Sequence, residues 1–150
     1  MIDSGKRIPI SNDDILKSNF DKDKEYVTVR SFSLSHSHIQ SIDINLLING
    51  IFSIYNFENL DYICENISLY GDGYVEIFNC PKLKTLPSKL IFGKTLFLSD
   101  NQHLTTILSE KQFDSLQSFE NYHGKVKSYK EYYSFIKPTL EKQELLKVCL

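Results

Sequence analysis

Apolar residues recur along the middle of this chain in a pattern written more than once. Val75, Ile77, Cys80, Leu83 and Leu86 stand at the same relative spacing as Leu96, Leu98, Asn101, Leu104 and Ile107. The first two of each set alternate with polar or aromatic neighbours, as in a short strand with one buried face. A small polar or thiol residue follows three places later, and two further apolar positions mark a return path. The spacing extends backwards through Phe52, Ile54, Leu60 and Ile63, and, with one residue deleted, through Phe32, Leu34, Ile39 and Ile42. Leu34, Ile54, Ile77 and Leu98 are therefore 20, 23 and 21 residues apart. Leu46, Ile67 and Leu90 add an apolar position four places beyond each of the first three units. A unit of this kind cannot bury its apolar side alone, and stacking copies is the physical solution.

The stretch CPKLKTLPSKL, followed by TLFLSDNQHLTTI, resembles the leucine-rich repeat family, in short, degenerate units of the bacterial-like or cysteine-containing type. The resemblance covers roughly residues 32–107. It implies an α/β solenoid: a short parallel sheet of about four repeats, used mainly to bind other macromolecules. It also implies a buried ladder at the Asn/Cys position, occupied here by Ser37, Phe57, Cys80 and Asn101, with Asn56 one place early.

The flanks read as caps on a single domain, with residues 1–30 at one end, repeats over 31–108 and a helical cap over 109–150. Residues 1–10 are polar and loose, Ser11-Asn-Asp-Asp14 starts a short helix, and Tyr26–Val29 alternates as a strand. Ser109–Gln112 is a capping box before Phe113, Leu116 and Phe119 at helical spacing. Ser128–Glu131 is a second capping box, Pro138 interrupts that helix, and a last amphipathic helix over 139–150 buries Leu140, Leu145, Leu146 and Val148. This helical arm is expected to cap the repeats, the alternative being a dimerisation or docking arm.

If the apolar strand residues face inward, their neighbours face outward. The outward set is Ser31, Ser33 and Ser35; Ser53 and Tyr55; Tyr74, Glu76 and Phe78; Thr95, Phe97 and Ser99. Tyr55, Tyr74, Glu76, Phe78 and Phe97 then form a candidate partner-binding patch, because aromatics on an exposed sheet face suit protein recognition. Two other arrangements fit the same residues: a segment folded over the rings, or a register slipped by one, which sends every ring to the core.

Composition narrows the function classes. The chain has 150 residues, 41% hydrophobic and 24% charged, the content of an ordinary globular domain. A net charge of −2 from 17 basic and 19 acidic intermixed residues offers no footprint for a phosphate backbone, so nucleic acid is not the expected partner. Apolar runs fall short of a membrane span, the first residues lack a signal-peptide core, and three cysteines without paired spacing fit a reducing compartment. A cytoplasmic location is expected. Alanine is absent while Ile, Asn, Lys, Tyr, Phe and Ser abound, a bias expected of an AT-rich coding genome such as that of a phage, another virus or an AT-rich microbe.

Catalytic groupings are thin, and no cofactor is implied. His36-Ser-His38 would supply only half of a metal site, with Asp43 alone at hand, so no metal is expected. Gly71-Asp-Gly73 signals a turn, and Asn66-Ile-Ser68 is a glycosylation sequon without consequence in the cytoplasm. The expected function is a non-catalytic protein-binding module, in viral form a small inhibitor or adaptor acting in the host cytoplasm. The alternatives are a small hydrolase built on His103 and Asp100, and a structural subunit that self-assembles into a homo-oligomer.

Overall fold

The computed structural model describes residues 6–99, 108–121 and 124–149. Its frame is a mixed, mainly parallel sheet of eight strands with a few helices, open at both edges rather than closed into a barrel. The strands of the main sheet are β1 (Ile8–Ile10), β2 (Glu25–Thr28), β3 (Phe32–Ser35), β5 (Asn45–Tyr55), β7 (Ile67–Phe78), β8 (Thr95–Ser99), β9 (Ser118–Asn121) and β10 (Gly124–Val126). The two remaining strands, β4 (Ser41–Ile42) and β6 (Tyr62–Ile63), pair with each other in a small parallel sheet.

The register follows the apolar spacing. Phe32 lies beside Phe52, Phe52 beside Val75 and Val75 beside Leu96; Leu34, Ile54, Ile77 and Leu98 form the second row. Leu46 pairs with Ile67, and Ile42 pairs with Ile63 in the small sheet. Side chains alternate across a strand, so this register turns like positions toward one core. Phe52, Ile54, Leu60, Val75, Leu83, Leu90 and Leu96 are all fully buried there. Phe32 and Phe52 stack with ring centroids 5.2 Å apart. Burial of aromatic and aliphatic side chains at these positions is the main source of stability.

Strands β5 and β7 are long, and both bend at glycine. Asn49 pairs with Tyr70, but the next pair is Ile51 with Tyr74, so β7 carries extra residues at the bend. Gly50 has φ +108°, which other residues rarely adopt. At Gly73 a Cβ would stand 2.3 Å from Leu69 Cδ2, so only glycine lets the chain pass. The bend divides the outward surface into two flanks. The first comprises the beginnings of β5 and β7 beside β2; the second comprises their ends beside β3 and β8.

At the N-terminal edge the helix α1 (Asn12–Leu16) begins where expected, with the Ser11 hydroxyl accepting from Asp14 N at 3.1 Å. Residues 8–10, expected to be loose, instead form β1, because Ile8, Pro9 and Ile10 pair in parallel with Tyr26, Val27 and Thr28. Ile10 is buried by that pairing.

The C-terminal segment departs further from expectation. Helix α3 (Glu110–Ser115) starts at the Ser109/Gln112 capping box, and Phe113 is buried. It ends at Ser115, and Phe119 lies in β9, where it pairs with Leu96 of β8. A free sheet edge outcompetes continuation of the helix, since it supplies partners for the backbone groups of residues 118–121. Strand β10 then pairs antiparallel with β9. Helix α4 (Tyr129–Cys149) is continuous through Pro138. Ser134, Lys137 and Pro138 are exposed, so the ring and the one lost backbone bond meet solvent rather than a packed neighbour. The expected burial of Leu140, Leu145, Leu146 and Val148 lies outside the described side chains. Helix α2 (Ser88–Ile91) holds Leu90 and Ile91 in the core.

Candidate binding surface

On the second flank, every residue of the expected patch faces outward and is half-buried: Tyr55, Tyr74, Glu76, Phe78 and Phe97. The register has not slipped, since the alternate residues Ile54, Val75, Ile77, Leu96 and Leu98 are inside. The rings lean on one another along the sheet. Tyr55 stacks on Phe78 at 4.9 Å, and Phe78 meets Phe97 at 5.3 Å. Ring contacts of this kind contribute about 0.5–1.5 kcal/mol per pair beyond burial.

A row of in-register residues crosses this stack: Ser53, Glu76, Phe97 and Glu120 on β5, β7, β8 and β9. Glu76 is held from one side. The Tyr55 hydroxyl donates to Glu76 Oε1, and the buried Ser53 hydroxyl donates to the same oxygen at 3.4 Å. The Tyr55–Glu76 hydrogen bond is the main cause of the raised pKa of Tyr55. Tyr74 is also raised, chiefly by burial and then by the charges of Glu76 and Glu120. Both carboxylates therefore act on the same ring. Lys125 pairs with Glu120 in the β9–β10 register, but no ion pair joins them among the described residues. The surface is thus a run of π-faces with a carboxylate residue on either side of Phe97, Glu76 held by hydrogen bonds and Glu120 in register. Both features attract a cation, one through the ring quadrupole and the other through charge-assisted hydrogen bonds.

A second feature lies at the end of the strands. Asn79 Nδ2 donates to Asn56 Oδ1 at 2.9 Å, and Asn56 Nδ2 lies 3.1 Å from His36 Nε2. All three have positive φ, +48°, +59° and +56° respectively. Asparagine tolerates this conformation better than most residues. The polar ladder therefore sits one residue earlier than the expected Asn/Cys position. There Phe57 is fully buried instead, and the Cys80 Sγ donates to Phe78 O at 3.4 Å. The signal for this ladder is a polar residue two places after each second strand position: His36, Asn56 and Asn79.

Other expected chemistry finds less support in geometry. His36, half of the His-Ser-His pair, is engaged by Asn56, and Asp43 accepts from Lys22 Nζ at 3.4 Å. Among the described residues no group of three His, Cys, Asp or Glu converges as a metal site. Asp100 and His103 lie outside the described residues. Burial pushes the Cys80 thiol up to about 11, which disfavours the nucleophilic thiolate. Glu120 joins this surface because residues 118–121 form β9 beside β8, where the helical spacing of Phe113, Leu116 and Phe119 predicts a helix. Among the described residues no helix is long and apolar enough to cross a membrane. No protein-family model, curated protein or solved structure matches the chain.

Proposed function

We propose that this protein is a non-catalytic protein-binding module, a short solenoid of leucine-rich-repeat-like units. Its second outward flank receives a partner segment bearing lysine or arginine. The observation that carries the reading is the Tyr55, Phe78 and Phe97 stack, with Glu76 and Glu120 in register on either side of Phe97. Clustered aromatic anchors are among the features that concentrate binding energy in protein interfaces, and a neighbouring carboxylate adds selectivity for a cation. The in-register pairing of Leu34, Ile54, Ile77 and Leu98 supports the repeat reading. The composition bias extends it to a small viral inhibitor or adaptor of a host protein.

Affinity capture from host lysate with cross-linking mass spectrometry tests this, run on wild type beside Tyr74→Ala/Phe97→Ala and Glu76→Gln. The expected result is one stoichiometric protein, cross-linked through a Lys- or Arg-bearing segment, that both variants lose. Retention by both variants, or capture of this chain alone, contradicts it.

A further inference from the structure

The first flank carries a different site. A cleft of 440 Å³ opens beside the beginnings of β5 and β7, in the size range of small-molecule pockets. Three cations reach it from distant parts of the chain: Arg7, Lys89 and Lys94. Arg7 is held in place, since its Nη1 donates to Tyr26 O at 3.0 Å and to Asn45 Oδ1 at 2.9 Å. Both bonds use one nitrogen, and the guanidinium has further donors. Lys94 Nζ donates to Gly71 O. Neither lysine, nor Arg7, is ion-paired among the described residues.

The neutral lining suits the same ligand. Because the Asn45 oxygen accepts from Arg7, its amide nitrogen is left to donate. Asn66 and Ser68, from the sequon, bring another amide and a hydroxyl. Among the described residues no carboxylate lines the cleft. Of the acidic groups on the surrounding elements, Glu65 accepts from Ser88 N at 3.2 Å, and Glu25 lies in register with Asn45 on the strand beyond. Three cations without an ion-pair partner among the described residues, with amide and hydroxyl donors beside them, suit an anion in a chain whose net charge is −2. Leu69 and Phe92 supply an apolar wall, and Phe92 is 69% exposed. An exposed ring at the mouth of a cationic cleft is a shelf for a flat group.

We propose that this cleft binds a small phosphate ester carried on a planar ring, the chemistry of a nucleotide. The phosphate is held between Arg7, Lys89 and Lys94, and the ring lies against Phe92. This site is independent of the protein-binding reading, which uses the other flank. Its test is an amide-resolved NMR titration of the whole chain with AMP and, separately, with inorganic pyrophosphate. AMP should shift Ser68, Leu69, Phe92 and Lys94 saturably. Lys89→Gln, an exposed substitution whose folding the spectrum itself verifies, should weaken both ligands about tenfold, the scale of one charge-assisted hydrogen bond. Phe92→Ala should weaken AMP and leave pyrophosphate unchanged. Absence of saturable shifts in the cleft with both ligands overturns the site. Equal binding by wild type and Lys89→Gln also overturns it, and an unchanged AMP affinity in Phe92→Ala overturns the assignment to a ring-bearing ester.

Discussion

The two flanks of the sheet share their long strands and one core, with the register shifting between them, yet present opposite chemistry. Before the glycine bend, the surface carries Arg7, Lys89 and Lys94 around amides and a hydroxyl. Past it, the same two long strands carry Tyr55, Tyr74, Phe78 and Glu76, with Phe97 and Glu120 on the strands beyond. Inward positions hardly differ: Leu46, Ile48 and Ile67 on one side, Phe52, Ile54 and Val75 on the other, all fully buried. Core positions answer to one shared packing requirement, while outward positions are free to differ. The register shift beside Gly50 and Gly73 marks where one surface gives way to the other.

If the core is common and the flanks are separate, core damage should be severe and indifferent to flank. Phe52→Ala removes a fully buried ring stacked on Phe32 and should cost about 3–5 kcal/mol in urea unfolding. Binding at both proposed surfaces should weaken together in that variant, through loss of the folded population.

A smaller effect is expected at the C-terminal end, beyond the second flank. The buried Tyr132 hydroxyl accepts from Leu108 N at 2.9 Å, beside Phe113 and Phe119. Tyr132→Phe leaves that buried N–H without its hydroxyl and should cost about 1–3 kcal/mol. The same residue sets an alkaline limit. Burial pushes the Tyr132 hydroxyl up to about 12 from 10.0, and the Cys80 thiol up to about 11 from 9.0. For both, the unfolded chain ionises first, so their stabilisation is complete below the unfolded pKa and is lost as pH rises through the folded one. Urea midpoints should fall from about pH 9 upward, and Tyr132→Phe should flatten the upper part of that fall.

The strand register was legible in the sequence because parallel pairing sets residues 20, 23 and 21 places apart side by side on one buried face. Alternation then placed Tyr55, Tyr74, Phe78 and Phe97 outside. The turn ladder was not legible in the same way. Apolar spacing carries no information on backbone dihedrals, and the positive φ of His36, Asn56 and Asn79 settles which polar residue is shared between turns. Strand β9 was hidden because Phe113, Leu116 and Phe119 satisfy helical spacing, whereas the pairing of Phe119 with Leu96 is a tertiary fact. The cationic cleft was invisible for a related reason: residues 7, 89 and 94 meet only through the fold.

The most direct test of the central claim is the unfolding free energy of Tyr74→Ala/Phe97→Ala, measured in urea beside Phe52→Ala. If the outward rings are a binding surface resting on an independent core, the double variant should lose only about 1–2 kcal/mol, the worth of half-buried ring contacts. A loss equal to or greater than that of Phe52→Ala would place those rings in the structural core and contradict the assignment of that flank to partner binding.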